Sequence, residues 1–184
     1  PAAYVPVRWR ESSGEELFQS GEEHEQLAAV RDALAPTLAA TDRLKVGQNL
    51  KYDLWILERH GFEVAGPLFD TMLASYVLDP GRRSHGLDEL ARAYLGETMI
   101  AYDEMFARGD RRKDILAVPL VQLAEYAAED ADVTLRLHET LAPQLTDQGL
   151  AELFETLEMP LLRVLLAMER AGIRIDRSFL GELS

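Results

Sequence analysis

The chain has 184 residues, 47% hydrophobic and 28% charged, with 12 Gly and 8 Pro, the composition of one globular domain plus a small appendage. Against 32 Asp and Glu stand 19 Lys and Arg, a formal net charge of −13. Phosphate affinity comes mainly from basic side chains displacing counterions, so a broad basic nucleic-acid surface is excluded. The lack of cysteine excludes disulfides, thiolate zinc sites and a cysteine nucleophile.

Ala2 to Trp9, with Tyr4, Val5, Val7 and Trp9, reads as a β-strand. It has no Met and no charged leader before an apolar core, so no signal peptide is expected and the chain reads as a piece of something longer. A polar loop follows from Glu11 to Gly21. Glu22 to Ala35 is a predicted helix with Leu27, Val30 and Leu34 on one face, interrupted or restarted at Pro36. Leu44 to Gln48 is a short apolar strand closed by Asn49 as N-cap, and the helix Leu50 to His60 follows, ended by Gly61. Asp70 caps a further helix through Leu78, with Asp79-Pro80-Gly81 as the turn.

Another helix is expected from Leu87 to Leu95 and a short one near Tyr102 to Ala107. Gly109 to Asp114 is a charged loop, a local basic cluster alongside Arg82-Arg83. Pro119 suits the first turn of the longest helix, which the pattern carries to about Leu141. Thr146 to Gly149 is a polar break before a helix from Leu150 to Ala171 that contains Pro160. On it Leu150, Leu153, Leu157, Leu161, Leu165 and Met168 form an apolar stripe for a core or a neighbouring domain, leaving apolar surface exposed in the isolated piece. Ile173 to Ile175 is strand-like, and Asp176 caps a last helix. No apolar run approaches ~18 residues, so no membrane span is expected. The fold class is α/β at the start and mostly helical afterwards.

Chemistry concentrates in two acids. At ~100° per residue, Leu123, Ala127, Thr134, Leu137 and Leu141 share one face of the helix after Pro119. Glu125, Glu129, Asp132, Arg136 and Glu139 lie opposite. Asp130 falls within the apolar face, one turn after Tyr126. A carboxylate there must be paired, protonated or metal-bound, because an unpaired one costs several kcal/mol. Asp53 lies at the margin of the face made by Leu50, Leu54, Ile56 and Leu57, with Asn49 one turn earlier. Alone it reads more often as a capping or first-turn acid than as a ligand. Strand ends in α/β sheets are where ligand groups gather. The four His, at 24, 60, 85 and 138, form no i, i+3 or i+4 pair. Carboxylates without His or Cys suit Mg²⁺ or Mn²⁺. Two such ions need more than two protein carboxylates, so on spacing alone the site is incomplete.

At these residues the sequence resembles the 3′–5′ exonuclease (proofreading) domain of bacterial family A DNA polymerases, the DNA polymerase I family. KVGQNLKYDLWILERHGF (Lys45 to Phe62) resembles the second exonuclease motif, and FDTMLASYVLDP (Phe69 to Pro80) the segment after it. YAAEDADVTLRLH (Tyr126 to His138) is similar to the third motif in its tyrosine form, and FETLEMPLLRVLLAMERAGIRID (Phe154 to Asp176) to the opening of the polymerase domain. The resemblance implies a ribonuclease H-like fold, a mixed sheet flanked by helices. Residues 1–148 would be the exonuclease domain and 149–184 the start of the polymerase domain.

It further implies that Asp130 ligates the catalytic metal and Asp53 holds the second, two divalent cations, Mg²⁺ or Mn²⁺, in all. Tyr126 would orient the attacking water, and Gln48, Asn49 and Tyr102 would contact the terminal nucleotides. The partners implied are the single-stranded 3′ end of DNA and a polymerase domain in the same parent chain, in the cytoplasm and without a membrane. The family's first motif, an Asp-x-Glu on its first strand, has no counterpart here. The expectation is therefore a domain lacking its first two strands and nearly inactive alone. The alternatives are a catalytically silent exonuclease-like domain of a family A polymerase, or a ribonuclease D-like RNA exonuclease.

Overall fold

A computed structural model describes residues 2–7, 20–106 and 113–175, with positions 179 and 181. Two short parallel strands and a mostly helical remainder form an α/β unit. β1 (Lys45–Gly47) pairs with β2 (Leu68–Asp70) in the register Lys45–Leu68, Val46–Phe69, Gly47–Asp70. Parallel strands need a crossover, and α2 (Leu50–Arg59) supplies it. Lys45 Nζ donates to the carbonyls of Ala40 and Ala65, fastening the chain on both sides of the crossover.

α1 (Ser20–Leu38) runs through Pro36 instead of stopping there. The proline lies in the last turn, where the missing N–H removes only one bond. Leu34, expected on its packed face, is exposed. α3 (Thr71–Leu78) follows β2 directly, and α4 (Leu87–Leu90) widens into a π turn, Ala91–Leu95. The expected helix near Tyr102 is a 3₁₀ turn, Tyr102–Met105, and a second one spans Ile115–Ala117. α5 (Leu120–Asp147) outlasts the predicted end at Leu141 and contains Pro143. Buried Leu145 anchors the extra turn, while Thr140, Gln144 and Thr146 donate to the carbonyls of Arg136, Thr140 and Ala142 around the proline. Gly149, at φ 69°, then ends the helix with Leu150 N donating to Leu145 O at 2.8 Å.

The last helical run is α6 (Ala151–Leu153), a π turn (Phe154–Glu158) and α7 (Met159–Ala171). The π turn lies just before Pro160, whose ring would press on the carbonyl of Thr156 in a regular helix. The buried face of this run is Phe154, Met159, Leu162 and Leu166, whereas Leu157, Leu161, Val164, Leu165 and Met168 are exposed. From Leu153 on, the predicted stripe therefore faces outward, one residue out of phase with the packed one, while Leu150 packs on the core as expected.

One core joins Leu50, Leu54 and Phe69 from the β1–β2 unit to Leu137, Leu141 and Leu145 of α5 and to Phe154, Leu162 and Leu166. Each fully buried side chain of this size contributes about 1.5–3 kcal/mol. Phe69 packs its ring on Phe154 at 4.8 Å and on His138 at 4.5 Å, so His138 is a core histidine. A smaller cluster of Met105, Val118 and Leu123 collects Tyr4, Phe106 and Tyr126 at its margin.

The described sheet is two-stranded and parallel, not mixed. Residues 2–7 of the expected first strand pair with no described strand, and the same holds for Ile173 to Ile175, where Ile173 is 93% exposed. A strand without a partner has no ladder to hold it. Trp9, residues 11–19 of the expected loop, the charged stretch 109–112 and the Asp176 cap lie outside the described residues, while Ser20 and Gly21, expected in that loop, open α1. No described helix is long and apolar enough to cross a membrane.

Candidate active site

The β1–α2 corner carries three of the predicted residues. Gly47 ends β1 against the Leu50 side chain, which a Cβ on residue 47 would force to shift. Asn49 then adopts φ 59°, ψ 48°, a left-handed conformation that Asn tolerates better than most residues. Asn49 occupies the N-cap position as expected, but its side chain makes no capping bond. Asp70 supplies the acceptor instead: its carboxylate takes Asn49 N at 3.1 Å and Leu50 N at 2.7 Å. The same carboxylate takes Met72 N and Leu73 N at the head of α3. Burial pushes the Asp70 carboxyl up, and these four backbone donors oppose the shift.

Gln48 is held at both ends of its amide. Nε2 donates to His85 O at 2.8 Å, and Oε1 accepts from Thr71 Oγ1, which also donates to Gly47 O at 3.1 Å. His85 in turn pairs Nδ1 with Ser75 Oγ at 3.0 Å and packs its ring edgewise on Tyr76. The Ser84–Gly86 loop is thereby tied to the floor of the corner.

α5 forms the facing wall. Tyr126, Asp130, Ala131, Thr134 and Leu135 face a cleft of about 1080 Å³ whose other side is Gln48, Asn49, Tyr52 and Asp53. Tyr102 lies at one end, 6.3 Å from the Tyr126 ring and 5.8 Å from Lys113 Nζ. All six predicted site residues line this one cleft: Gln48, Asn49, Asp53, Tyr102, Tyr126 and Asp130.

The cleft is electronegative. Asp53, Asp88 and Asp130 line it, and among the described lining residues none is Lys or Arg. Although the Asp53 carboxylate opens onto the cleft, desolvation by the walls, with the nearby Asp70 charge, pushes it up to about 6. Desolvation and Glu129 push Asp130 up to about 6 as well, against a hydrogen bond from the Tyr126 phenol. The phenol itself is pushed up by burial and by Asp130, so it stays protonated at neutral pH. Both acids are thus raised first by desolvation and then by a neighbouring carboxylate. Among the described residues no group of three His, Asp or Glu gathers to hold a metal.

Against known proteins, residues 13–146 match the family described as 3′–5′ exonuclease. The chain belongs to the 3′–5′ exonuclease family. The DNA polymerase I of Rhizobium leguminosarum is 44% identical over 186 residues, covering 100% of this chain and 18% of that protein. That of Pseudomonas aeruginosa is 39% identical over 183 residues, covering 98% of this chain and 19% of that protein. The chain thus spans about a fifth of the length of the curated relatives it matches. A solved structure of the POL domain of Pol1 from M. smegmatis, in complex with DNA primer-template and dNTP, superimposes with TM-score 0.67 at 26% identity, covering 93% of this chain and 26% of that one. NrnC of Brucella melitensis, bound to pGG, shares the fold alone, with TM-score 0.60 at 23% identity over 78% of this chain and 67% of that one. Residues 13–146 are therefore a 3′–5′ exonuclease domain, in a chain similar to part of DNA polymerases I.

Three residues of the exonuclease domain escape the sequence pattern. Asp70 reads as the cap of α3 and gives no sign of its second pair of donors. Glu129 reads as a solvated acid on the far face of its helix, yet its Oε2 accepts Ile100 N at 2.8 Å and holds the strip Met99 to Tyr102 along the cleft. Thr71 is the hydroxyl that locks Gln48. Each acts through a pairing more than 20 residues away in sequence, which local periodicity does not encode.

Proposed function

We propose that the cleft removes the terminal nucleotide from the single-stranded 3′ end of DNA, as the proofreading site of a DNA polymerase. The convergence of Asp53, Tyr126 and Asp130 with Gln48, Asn49 and Tyr102 on one cleft carries this reading. The donor set suits hard divalent cations. Among the described lining residues it offers carboxylates, with no imidazole or thiol and no Lys or Arg to compete for them. Asp130 would hold the catalytic cation and Asp53 the second. When bound, Mg²⁺ or Mn²⁺ would supply a nucleophile at neutral pH and charge stabilisation for the departing 3′ oxygen.

The residues of the domain do the rest. Tyr126 keeps its proton and orients the attacking water through the phenolic oxygen. Asn49, its amide free of capping duty, meets the terminal nucleotide, with Gln48 beside it. Tyr102 offers a ring to a base at the cleft end, where stacking is worth about 1–3 kcal/mol per base. An acidic cleft repels phosphate unless cations reverse its charge, which reconciles the net charge of −13 with a DNA substrate.

Two carboxylates are too few for two cations. The proposal accordingly places the further donors, an Asp-x-Glu on a strand added to the sheet, in a longer polymerase chain that carries residues 1–148 as its exonuclease domain and 149–184 as the start of its polymerase domain. A ribonuclease reading has less support, because the relatives named above that match nearly all of this chain are DNA polymerases I. The test is Mg²⁺-dependent release of 5′-mononucleotides from single-stranded DNA, compared between the complete polymerase and the 184-residue chain. Release by the complete polymerase and almost none by the short chain is expected. Absence of release by the complete polymerase overturns the proofreading reading. Vigorous release by the short chain, lost in Asp130→Ala, overturns the shortage of donors.

A further inference from the structure

Asp70 ends β2 opposite Gly47 and is 2% exposed. As an ordinary N-cap it needs only Met72 N and Leu73 N, which its Oδ1 takes at 2.9 and 3.3 Å. It has a second pair of donors. Oδ1 also accepts Asn49 N at 3.1 Å and Oδ2 accepts Leu50 N at 2.7 Å. One carboxylate thus serves the heads of two helices whose positive ends converge on it. The consequence lies at the corner. Asn49 is left-handed, and Asp53 stands one turn further along α2. Asp70 does not itself line the cleft, whereas Gln48, Asn49 and Asp53 do.

We propose that Asp70 is a positioning residue of the exonuclease site: its carboxylate holds the Asn49–Leu50 corner in the orientation from which Asn49 and Asp53 face the cleft. This rests on the reading of the cleft given above. A cap that only stabilised α3 would leave the corner alone. The two oxygens separate the roles, since Oδ1 serves α3 and Asn49 while Leu50 alone depends on Oδ2. Asp70→Asn, with its oxygen kept toward Met72 and Leu73, turns an amide NH₂ toward the Leu50 N–H. Donor then faces donor at the corner while the α3 cap survives.

The experiment has two parts. Amide hydrogen exchange on the 184-residue chain should show Leu50 losing at least tenfold of its protection in Asp70→Asn, with Met72 and Leu73 unchanged. In the complete polymerase, the same substitution should raise KM for single-stranded DNA about tenfold, with a smaller fall in kcat. Equal loss of protection at all these amides with an unchanged KM would make Asp70 a purely structural cap and overturn the inference. No nucleotide release by the wild-type polymerase would instead remove the reading beneath it. If Asp70→Asn fails to fold, Asp70→Ser keeps one hydroxyl acceptor for the α3 cap and removes the acceptor of Leu50 N. A raised KM there supports the inference, and an unchanged one overturns it.

Discussion

The Asp70 carboxylate accepts the Leu50 amide proton at 2.7 Å, so the residue that ends β2 fixes the start of a helix formed before it in sequence. The relationship joins the two strands of the sheet at the end where the cleft opens. It also puts a buried negative charge behind Asp53, which shares in raising that acid.

Replacement of either raised carboxylate should abolish nucleotide release. Asp130→Ala and Asp53→Ala in the complete polymerase each predict a fall in exonuclease kcat of roughly 10³-fold. Because the two acids would serve one cation pair, the double variant should be little worse than either single one. Single-turnover kinetics checks both points.

The same acids cost stability when no cation is present. Each has a folded-state pKa of about 6 against an ordinary value of 3.8, so the folded state binds protons more tightly than the unfolded one between those values. Metal-free stability should therefore rise as pH falls through 6 and level off near 4. Asp53→Asn and Asp130→Asn should each stabilise the metal-free chain at pH 7.5 by about 1 kcal/mol, a figure reduced for solvent screening. Each should also flatten the slope between pH 4 and 6. Urea unfolding at a series of pH values measures this, and saturating Mn²⁺ should cancel the gain.

Tyr126→Phe removes the hydrogen bond that lowers the Asp130 pKa. Proton competition at Asp130 then increases, so Mn²⁺ affinity at pH 6.5 should fall severalfold, with a smaller effect at pH 8. Calorimetric titration at the two pH values distinguishes this from loss of packing, which would not depend on pH.

Phe154 lies across residue 148 from the exonuclease segment, yet it is buried against Phe69 at 4.8 Å. Phe154→Ala should cost about 3–5 kcal/mol, as measured by urea unfolding of the 184-residue chain. The exposed apolar side of the same helical run, Leu157, Leu161, Val164 and Met168, predicts concentration-dependent self-association of that chain. Sedimentation should show a shift toward monomer in Val164→Glu.

Much of the fold was legible where short-range chemistry decides it. Lys45 to Arg59 reads as strand, corner and helix because apolar spacing and Gly61 mark both ends, and α3 follows from Asp70. The apolar face of α5 picks out Asp130, since a lone carboxylate among Leu and Thr needs a reason. Other elements were hidden by tertiary effects. β2 has only three residues and no alternation to show. α5 continues past Pro143 because Leu145 is buried, a fact of packing rather than propensity. Ile173 to Ile175 has strand composition, yet no described partner runs beside it. At the site, Asp53 and Asp130 stood out by placement on their helices, whereas the role of Asp70 depends on two amides supplied by a distant turn.

The most direct test of the cleft as a cation-dependent 3′-end site needs no catalysis. Binding of a short single-stranded DNA to the isotope-labelled 184-residue chain can be followed by NMR with and without Mn²⁺. The prediction is Mn²⁺-dependent binding, with paramagnetic broadening centred on Asp53 and Asp130 and shifts at Asn49 and Tyr102, all lost in Asp53→Asn/Asp130→Asn. Binding that ignores Mn²⁺, or broadening centred away from those two acids, would contradict it.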